Sequence, residues 1–346
     1  ILQFLEKETE SDFKKVGKTG VISTFQSNKP GPTVMIRGDI DALPIVEIND
    51  FEHKSKTEGV SHKCGHDGHT TILLGLAILL SERPIARGKV LLLFQPAEEN
   101  GMGAKAVLED KEFQKEKIDF VFALHNLPGY KTHQIVVKEN EFTGNVKSII
   151  LKMTGKTAHA AEPEKGYNPS MAISQIFAFA NDITHNKPEE QDFFLMTPIF
   201  ATLGDLAYGI SAGYGEVHFT IRSWSTDLMT QRSKEIVAFI EKTCKTNQLL
   251  VDISWTQVFH ANINHPDAVQ LIRTAAEKNS YELDERAYPF GWGEDFGLFT
   301  QQYMGAMFGI GSGTSTPALH NPDYDYPDEI TETGIGMFYQ IINQIL

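Results

Sequence analysis

Lys89-Val90-Leu91-Leu92-Leu93-Phe94, followed at once by Gln95-Pro96-Ala97-Glu98-Glu99, is the stretch from which the fold is read. A short run without charge from Val90 to Gln95 suits a central strand covered on both faces, as parallel sheets require. Two adjacent carboxylates directly after such a strand are costly to bury unless cations compensate them. The same arrangement recurs on either side. Val34-Met35-Ile36-Arg37 reads as a strand running into Gly38-Asp39-Ile40-Asp41, and Phe120-Val121-Phe122-Ala123-Leu124 reads as a buried strand delivering His125 at its end. Between them, Thr70 to Ser81 reads as a helix with little polar surface, and Gly103 to Asp110 as a second one. This alternation predicts an α/β domain with a mostly parallel sheet. In such sheets the ligand crevice lies outside the carboxyl ends of the strands, so motifs far apart in sequence are expected to converge there.

From about Asn145 the pattern changes. Val146–Met153 reads as a strand, Pro169 to Ile183 as a helix, and Gly215 to Ser223 alternates strictly, with Glu216, His218, Thr220 and Arg222 on its polar face. A further helix, Asp227 to Lys245, leads into a strand, Leu250–Trp255. The order β-α-β-β-α-β is that of a small α+β sandwich inserted into the first domain. After roughly Ile263 the chain returns to helix, loop and strand, with Pro266 to Asn279 helical and Ala306–Ile310 a strand. The expected organisation is residues 1–143 as the first part of the larger domain, 144–262 as the insert, and 263–346 as its completion, bringing His320 back to the other motifs.

A chain of 346 residues exceeds what one hydrophobic core usually fills, in keeping with two domains. The net charge of -14, with no basic block, excludes nucleic acid as a partner, because phosphate binding needs clustered Lys and Arg. The longest apolar stretch, Ile72 to Leu80, is too short to span a bilayer and reads as a buried helix, so no membrane partner is expected. Cys64 and Cys244 are too few for a disulfide framework, and a thiolate ligand favours a reducing compartment, so the cytoplasm is the expected location. Residue 1 is Ile rather than Met, which leaves room for a start or export segment upstream.

A lone Cys or His is usually an ordinary core resident, and the twelve histidines supply many false candidates. The pattern here is a cluster. Cys64 and His66 lie two apart in Cys64-Gly65-His66-Asp67-Gly68-His69, just before an apolar helix, and Glu98-Glu99, His125 and His320 follow in order. Thiolate, imidazole and carboxylate together suit borderline transition metals. Cys64, His66, Glu99, His125 and His320 exceed the ligand set of one tetrahedral catalytic ion, whereas two ions about 3.5–4 Å apart would share them. Two divalent ions, zinc or manganese, with cobalt as an in vitro substitute, are therefore expected.

The runs Arg37-Gly38-Asp39-Ile40-Asp41-Ala42-Leu43-Pro44, Lys63–Thr70, Gln95–Glu99, Ala123-Leu124-His125-Asn126, Gly155–Ala161, Gly293-Glu294-Asp295-Phe296 and Leu319-His320-Asn321-Pro322 resemble, in order and over nearly the whole chain, the di-metal aminoacylase and carboxypeptidase family. The resemblance is to its aminoacylase and indole-acetyl-amino-acid hydrolase branch. It implies a zinc-peptidase-like catalytic domain interrupted by a lid domain that also carries a homodimer contact. It implies hydrolysis of N-acyl amino acids, for example N-acetyl ones, to a carboxylic acid and a free amino acid.

Carried over position by position, the resemblance places Cys64, His66, Glu99, His125 and His320 on the metals and makes Glu98 the general base. If the backbone is extended here, neighbouring side chains diverge, so Glu99 can face the ions while Glu98 faces water or substrate. Glu98 then takes a proton from water and returns it to the departing amine. The resemblance makes His159 a donor to the oxyanion, contributed across a dimer interface, and Arg222 the group that binds the substrate carboxylate, for which a guanidinium fork is well shaped. Read locally, His159 is a surface histidine and Arg222 the partner of a nearby carboxylate. Asp41 matches the carboxylate that orients a ligand histidine from behind. Asp39 stands where other branches place a ligand histidine, His69 is expected behind the ligands, and Glu294 lies near the site without an assigned role. The chain departs from its relatives at Leu206-Ala207-Tyr208-Gly209-Ile210-Ser211-Ala212-Gly213, where a substrate-binding asparagine is missing. The alternatives are a dipeptidase or metallocarboxypeptidase, which uses the same attack on a short peptide, and a non-catalytic binding protein on the same fold.

Overall fold

The computed structural model describes residues 1–346, which divide into two compact units. The first comprises Ile1–Phe142, Asn262–Tyr288 and Glu294–Leu346. It is built on an eight-stranded sheet in the order Asp12–Val16, Gly20–Gln26, Lys89–Gln95, Thr33–Asp39, Phe120–Leu127, Met304–Gly311, Ile135–Val137, Leu283–Glu285. Its centre is parallel, Thr33–Asp39 pairing with both Lys89–Gln95 and Phe120–Leu127, and Phe120–Leu127 with Met304–Gly311. Antiparallel strands enter only towards the edges, as at Gly20–Gln26 against Lys89–Gln95. The α/β expectation of a mostly parallel sheet is borne out.

Every residue of Thr33–Asp39 is buried, as the uninterrupted apolar reading demands for a strand covered on both faces. One cover is the helix His66–Glu82, whose Ile72, Leu73, Leu76, Ala77 and Leu80 join a single core with Val269 and Ile272 of Pro266–Lys278 and with Phe338, Ile341 and Ile342 of Thr331–Ile345. Close approach between helices uses glycine. A Cβ on Gly334 would lie 2.4 Å from Ile72 Cδ1, and one on Gly75 equally close to Ile335.

Two element ends differ from the sequence expectation in ways that matter for the site. The apolar helix begins at His66 rather than Thr70, because Gly65 takes φ +90° and turns the chain straight into the first helical residue. His125 lies inside its strand, which continues to Leu127, because pairing with Met304–Gly311 runs on to Leu127.

The second unit comprises Thr143–Ala261 together with Pro289–Gly293. The latter is a short return that the periodicity of the sequence does not mark; it is fastened by Gly144 N donating to Phe290 O at 3.1 Å. A four-stranded antiparallel sheet, in the order Phe194–Leu203, Tyr214–Ser223, Asn145–Thr154, Leu250–Phe259, carries the helices Ser170–Ile183 and Thr226–Thr246 over a core of Ile149, Leu151, Ile176, Phe219, Ile236 and Ile240. Tyr214–Ser223 alternates as its pattern demands, with Val217, Phe219 and Ile221 in the core and Glu216, His218, Thr220 and Arg222 on the other side. No helix of the chain is long and apolar enough to cross a membrane.

Candidate metal centre

The segments that follow or end the strands Lys89–Gln95 and Phe120–Leu127, the start of the helix His66–Glu82 and the loop after Met304–Gly311 deliver the expected donors to one place. Cys64, His66 and His125 each bring a ligand atom within 4.8 Å of the others, and so do Cys64, Glu99 and His320, and likewise His66, Glu98 and Glu99. All five sequence-predicted ligands and Glu98 thus converge. Cys64 Sγ stands 3.6 Å from His125 Nε2, Glu99 Oε1 3.9 Å from His66 Nε2, and Glu99 Oε2 3.5 Å from His320 Nε2.

The histidines are oriented from behind. His66 Nδ1 donates towards the carbonyl oxygen of Asp41 at 3.1 Å and its carboxylate at 3.2 Å, and His125 Nδ1 donates to Asn126 O at 2.8 Å. Each ring therefore turns its Nε2 into the cluster. His66 Nε2 and Glu99 Oε1 are buried with no hydrogen-bond partner, a costly condition that a cation at the cluster relieves. The donor set fits divalent transition metals.

Glu98 and Glu99 do not point in opposite directions as an extended backbone would have them: a carboxylate oxygen of each lies within 4.8 Å of the other. The backbone is not extended at this point: Ala97 has φ +57°, and Gly101 N closes a turn on Glu98 O at 2.8 Å. The turn sends Glu98 into the interior and leaves Glu99 partly exposed, with its backbone N–H donating to Asp41 Oδ2 at 3.0 Å.

Behind Glu98 lies a charged network that sequence reading did not resolve. Arg37 is buried, donating from Nε to Gln95 at 3.0 Å and pairing with Asp39 at 2.7 Å, Glu294 at 3.0 Å and Asp295 at 2.9 Å. Gln95 and the backbone of Ala104 hold Asp295 from the other side. An arginine ending a fully apolar strand was the available signal, since a buried guanidinium requires acids around it. Asp39 also accepts from His69 Nδ1 at 2.5 Å, which places His69 behind the ligands.

Carboxylates outnumber cations here, and the proton affinities show it. Burial pushes Glu98 well above the usual carboxylate range, with Glu294 and Asp295 adding to it, and burial brings Glu99 up to about 7. Burial pulls His66 down, but Asp39 and Asp41 outweigh it and leave it raised to about 9. Burial, helped by His69, lowers His125 to about 3, so its ring is neutral and ready to ligate. Cys64 is pushed up by burial and by Glu99. Divalent cations in the cluster would reverse these pressures on the carboxylates and the thiol.

The remaining candidates lie in the second unit. His159 is exposed, in a two-residue strand, Ala158–His159, that pairs with Ile210–Ser211, and its Nδ1 accepts from Ala161 N at 3.1 Å. The segment that departs from the family pattern is therefore the strand partner of His159. It leaves Leu206 90% and Tyr208 92% exposed, beside a hollow of about 440 Å³ lined by Lys156, Thr157, Asp205, Ile210, Ala212 and Tyr214. Arg222 is half-buried and donates from Nε to Gly291 O at 2.9 Å, with no carboxylate of this unit in ion-pair range. The local reading of Arg222 as the partner of a nearby carboxylate does not hold within this unit.

Residues 35–344 match the model of peptidase family M20/M25/M40. The chain is 32% identical over 295 residues to the N-acetyl-L-cysteine deacetylase of Bacillus subtilis, covering 84% of this chain and 70% of that protein. It is 29% identical over 323 residues to the hippurate hydrolase of Campylobacter jejuni, covering 92% and 83%. It also resembles the crystal structure of a Bacillus subtilis protein described as a dinuclear metal-binding peptidase from the M20 family, with a TM-score of 0.83 at 24% identity over 99% of this chain and 90% of that one. The resemblance read from the motifs is thereby borne out: the chain belongs to peptidase family M20/M25/M40 and, with it, is a hydrolase of amide bonds.

Proposed function

We propose that this chain cleaves N-acyl amino acids to a carboxylic acid and a free amino acid, using two divalent ions, zinc or manganese, held by Cys64, His66, Glu99, His125 and His320. The observation that carries the reading is the convergence of these five donors beside Glu98, with His66 Nε2 and Glu99 Oε1 buried without a hydrogen-bond partner. The relatives named for N-acetyl-L-cysteine and for hippurate support the substrate class.

Bound divalent ions would supply acidification of a water molecule and polarisation of the scissile carbonyl. Glu98 takes the proton of the attacking water and delivers it to the nitrogen of the leaving amine, a task for which a buried carboxylate beside the donor cluster is well placed. Glu99 would be a ligand, its Oε1 lying 3.9 Å from His66 Nε2 and its Oε2 3.5 Å from His320 Nε2. Asp41 keeps His66 in its ligating orientation. His159 donates to the oxyanion, and Arg222, lacking an acidic partner in its own unit, binds the substrate's free carboxylate through its fork of N–H groups. The second unit acts as a lid and as the contact of a homodimer. The free buried thiol of Cys64 suits the cytoplasm.

The test is a substrate panel of N-acetyl, longer N-acyl and N-aroyl amino acids beside dipeptides, each with zinc, manganese or cobalt. Preferential release of free amino acid from the N-acyl substrates is expected. Hydrolysis of dipeptides alone, or of nothing under any metal, overturns the reading.

A further inference from the structure

We infer that Lys63 is a positioning residue that holds His320 in register with Cys64 for cation binding. The inference rests on the metal-site reading above. Lys63 precedes Cys64 directly and is a charged side chain only 1% exposed. Its Nζ donates to Glu47 Oε1 at 2.5 Å and to the backbone oxygen of Tyr324 at 2.7 Å, while its own carbonyl accepts the backbone N–H of His320 at 2.7 Å. One residue therefore grips the segment 320–324 at both ends, four residues apart, from the position next to the thiol.

The surrounding contacts extend the same clamp. Ile48 N donates to Pro322 O at 3.3 Å, and Asn49 Nδ2 donates to Asp323 O at 3.1 Å. Glu47 Oε2 accepts from Ser55 N at 2.6 Å, so the carboxylate facing Lys63 is itself fixed. Asn126, next to the candidate ligand His125, donates from Nδ2 to Tyr324 OH at 2.5 Å. Three ligand-bearing segments thus meet around Lys63 and Tyr324.

His320 needs such support. It has φ +67°, a backbone region that residues with a Cβ occupy only when their surroundings enforce it, and its side chain is 52% exposed, so its own packing does not hold it. An apolar side chain of equal length would fill the space taken by Lys63. Only a donor of several hydrogen bonds also fixes the direction of the 320–324 backbone.

The test is zinc titration of the wild type, Lys63→Met, His320→Ala and the double variant, each confirmed folded by circular dichroism. Lys63→Met and His320→Ala should each weaken one of two zinc sites by about 10–100-fold, as loss of orienting partners does, and the double variant should bind no more weakly than His320→Ala alone. If Lys63→Met does not fold, Lys63→Met/Glu47→Leu takes its place in the cycle, since removing both partners leaves no unpaired buried carboxylate. Full zinc affinity in the Lys63 variant, or losses that add independently of His320, overturns the inference while leaving the metal centre intact. A wild type that binds no zinc, manganese or cobalt overturns the metal-site reading itself.

Discussion

Asp41 and His66 are joined twice, His66 Nδ1 lying 3.1 Å from the carbonyl oxygen of Asp41 and 3.2 Å from its carboxylate, while the second carboxylate oxygen takes the backbone N–H of Glu99 at 3.0 Å. One carboxylate therefore fixes both an imidazole and the turn that carries a neighbouring donor. Asp41→Ala is expected to lower metal affinity by about 10–100-fold, measured by titration, with a smaller effect on folding. Unchanged affinity would show that the carbonyl oxygen of Asp41 and the packing around the ring suffice to orient His66.

Glu98→Gln preserves shape and removes the base. Turnover should fall by about 10²–10⁴-fold while bound metal, measured by elemental analysis, stays at the wild-type level. Near-normal turnover in this variant eliminates Glu98 as the proton carrier.

His159→Ala tests the donor assigned to the second unit. Loss of one oxyanion donor costs about 10²–10³-fold in turnover, and metal content should not change. An unaltered kcat returns His159 to the role of a surface histidine.

The metal-free protein should lose stability as pH rises from 6.5 to 9. His66 is raised to about 9 by Asp39 and Asp41 against burial, so the stability it contributes is complete below 6.5 and disappears through 9. Glu99 and Asp295, each brought up to about 7 by burial, bind protons more tightly folded than unfolded and act in the same sense up to that value. His125, lowered to about 3, acts oppositely but only below 6.5. Thermal melting after chelation checks the slope, and added zinc should abolish it because ions bind the deprotonated donors.

Gly103→Ala probes the backbone that shapes the turn. A Cβ there would lie 1.7 Å from Pro96 O, and the Gly103 N–H closes on Ala97 O at 2.9 Å. The displaced loop should cost about 1–3 kcal/mol in chemical denaturation and also reduce activity, because it carries Glu98 and Glu99.

Much of this arrangement was legible beforehand because the signals are local. Uncharged runs such as Val90–Phe94 announce strands buried on both faces, and a Cys-Gly-His run before an apolar helix announces donors at its first turn. Strand and helix ends were less legible: His125 lies within its strand, and the turn at Glu98 depends on a positive φ at Ala97 that an alanine does not advertise. The sequence alone determined the α/β class, the family and the candidate donors, since periodicity, burial of charge and motif order are carried by neighbouring residues. Only the tertiary structure decided that Arg37 meets Glu294 and Asp295 behind Glu98, and that Lys63 grips the His320 segment. Those partners lie more than 250 residues apart in chain position, so which charges neutralise one another is set by which strands and loops become neighbours in space.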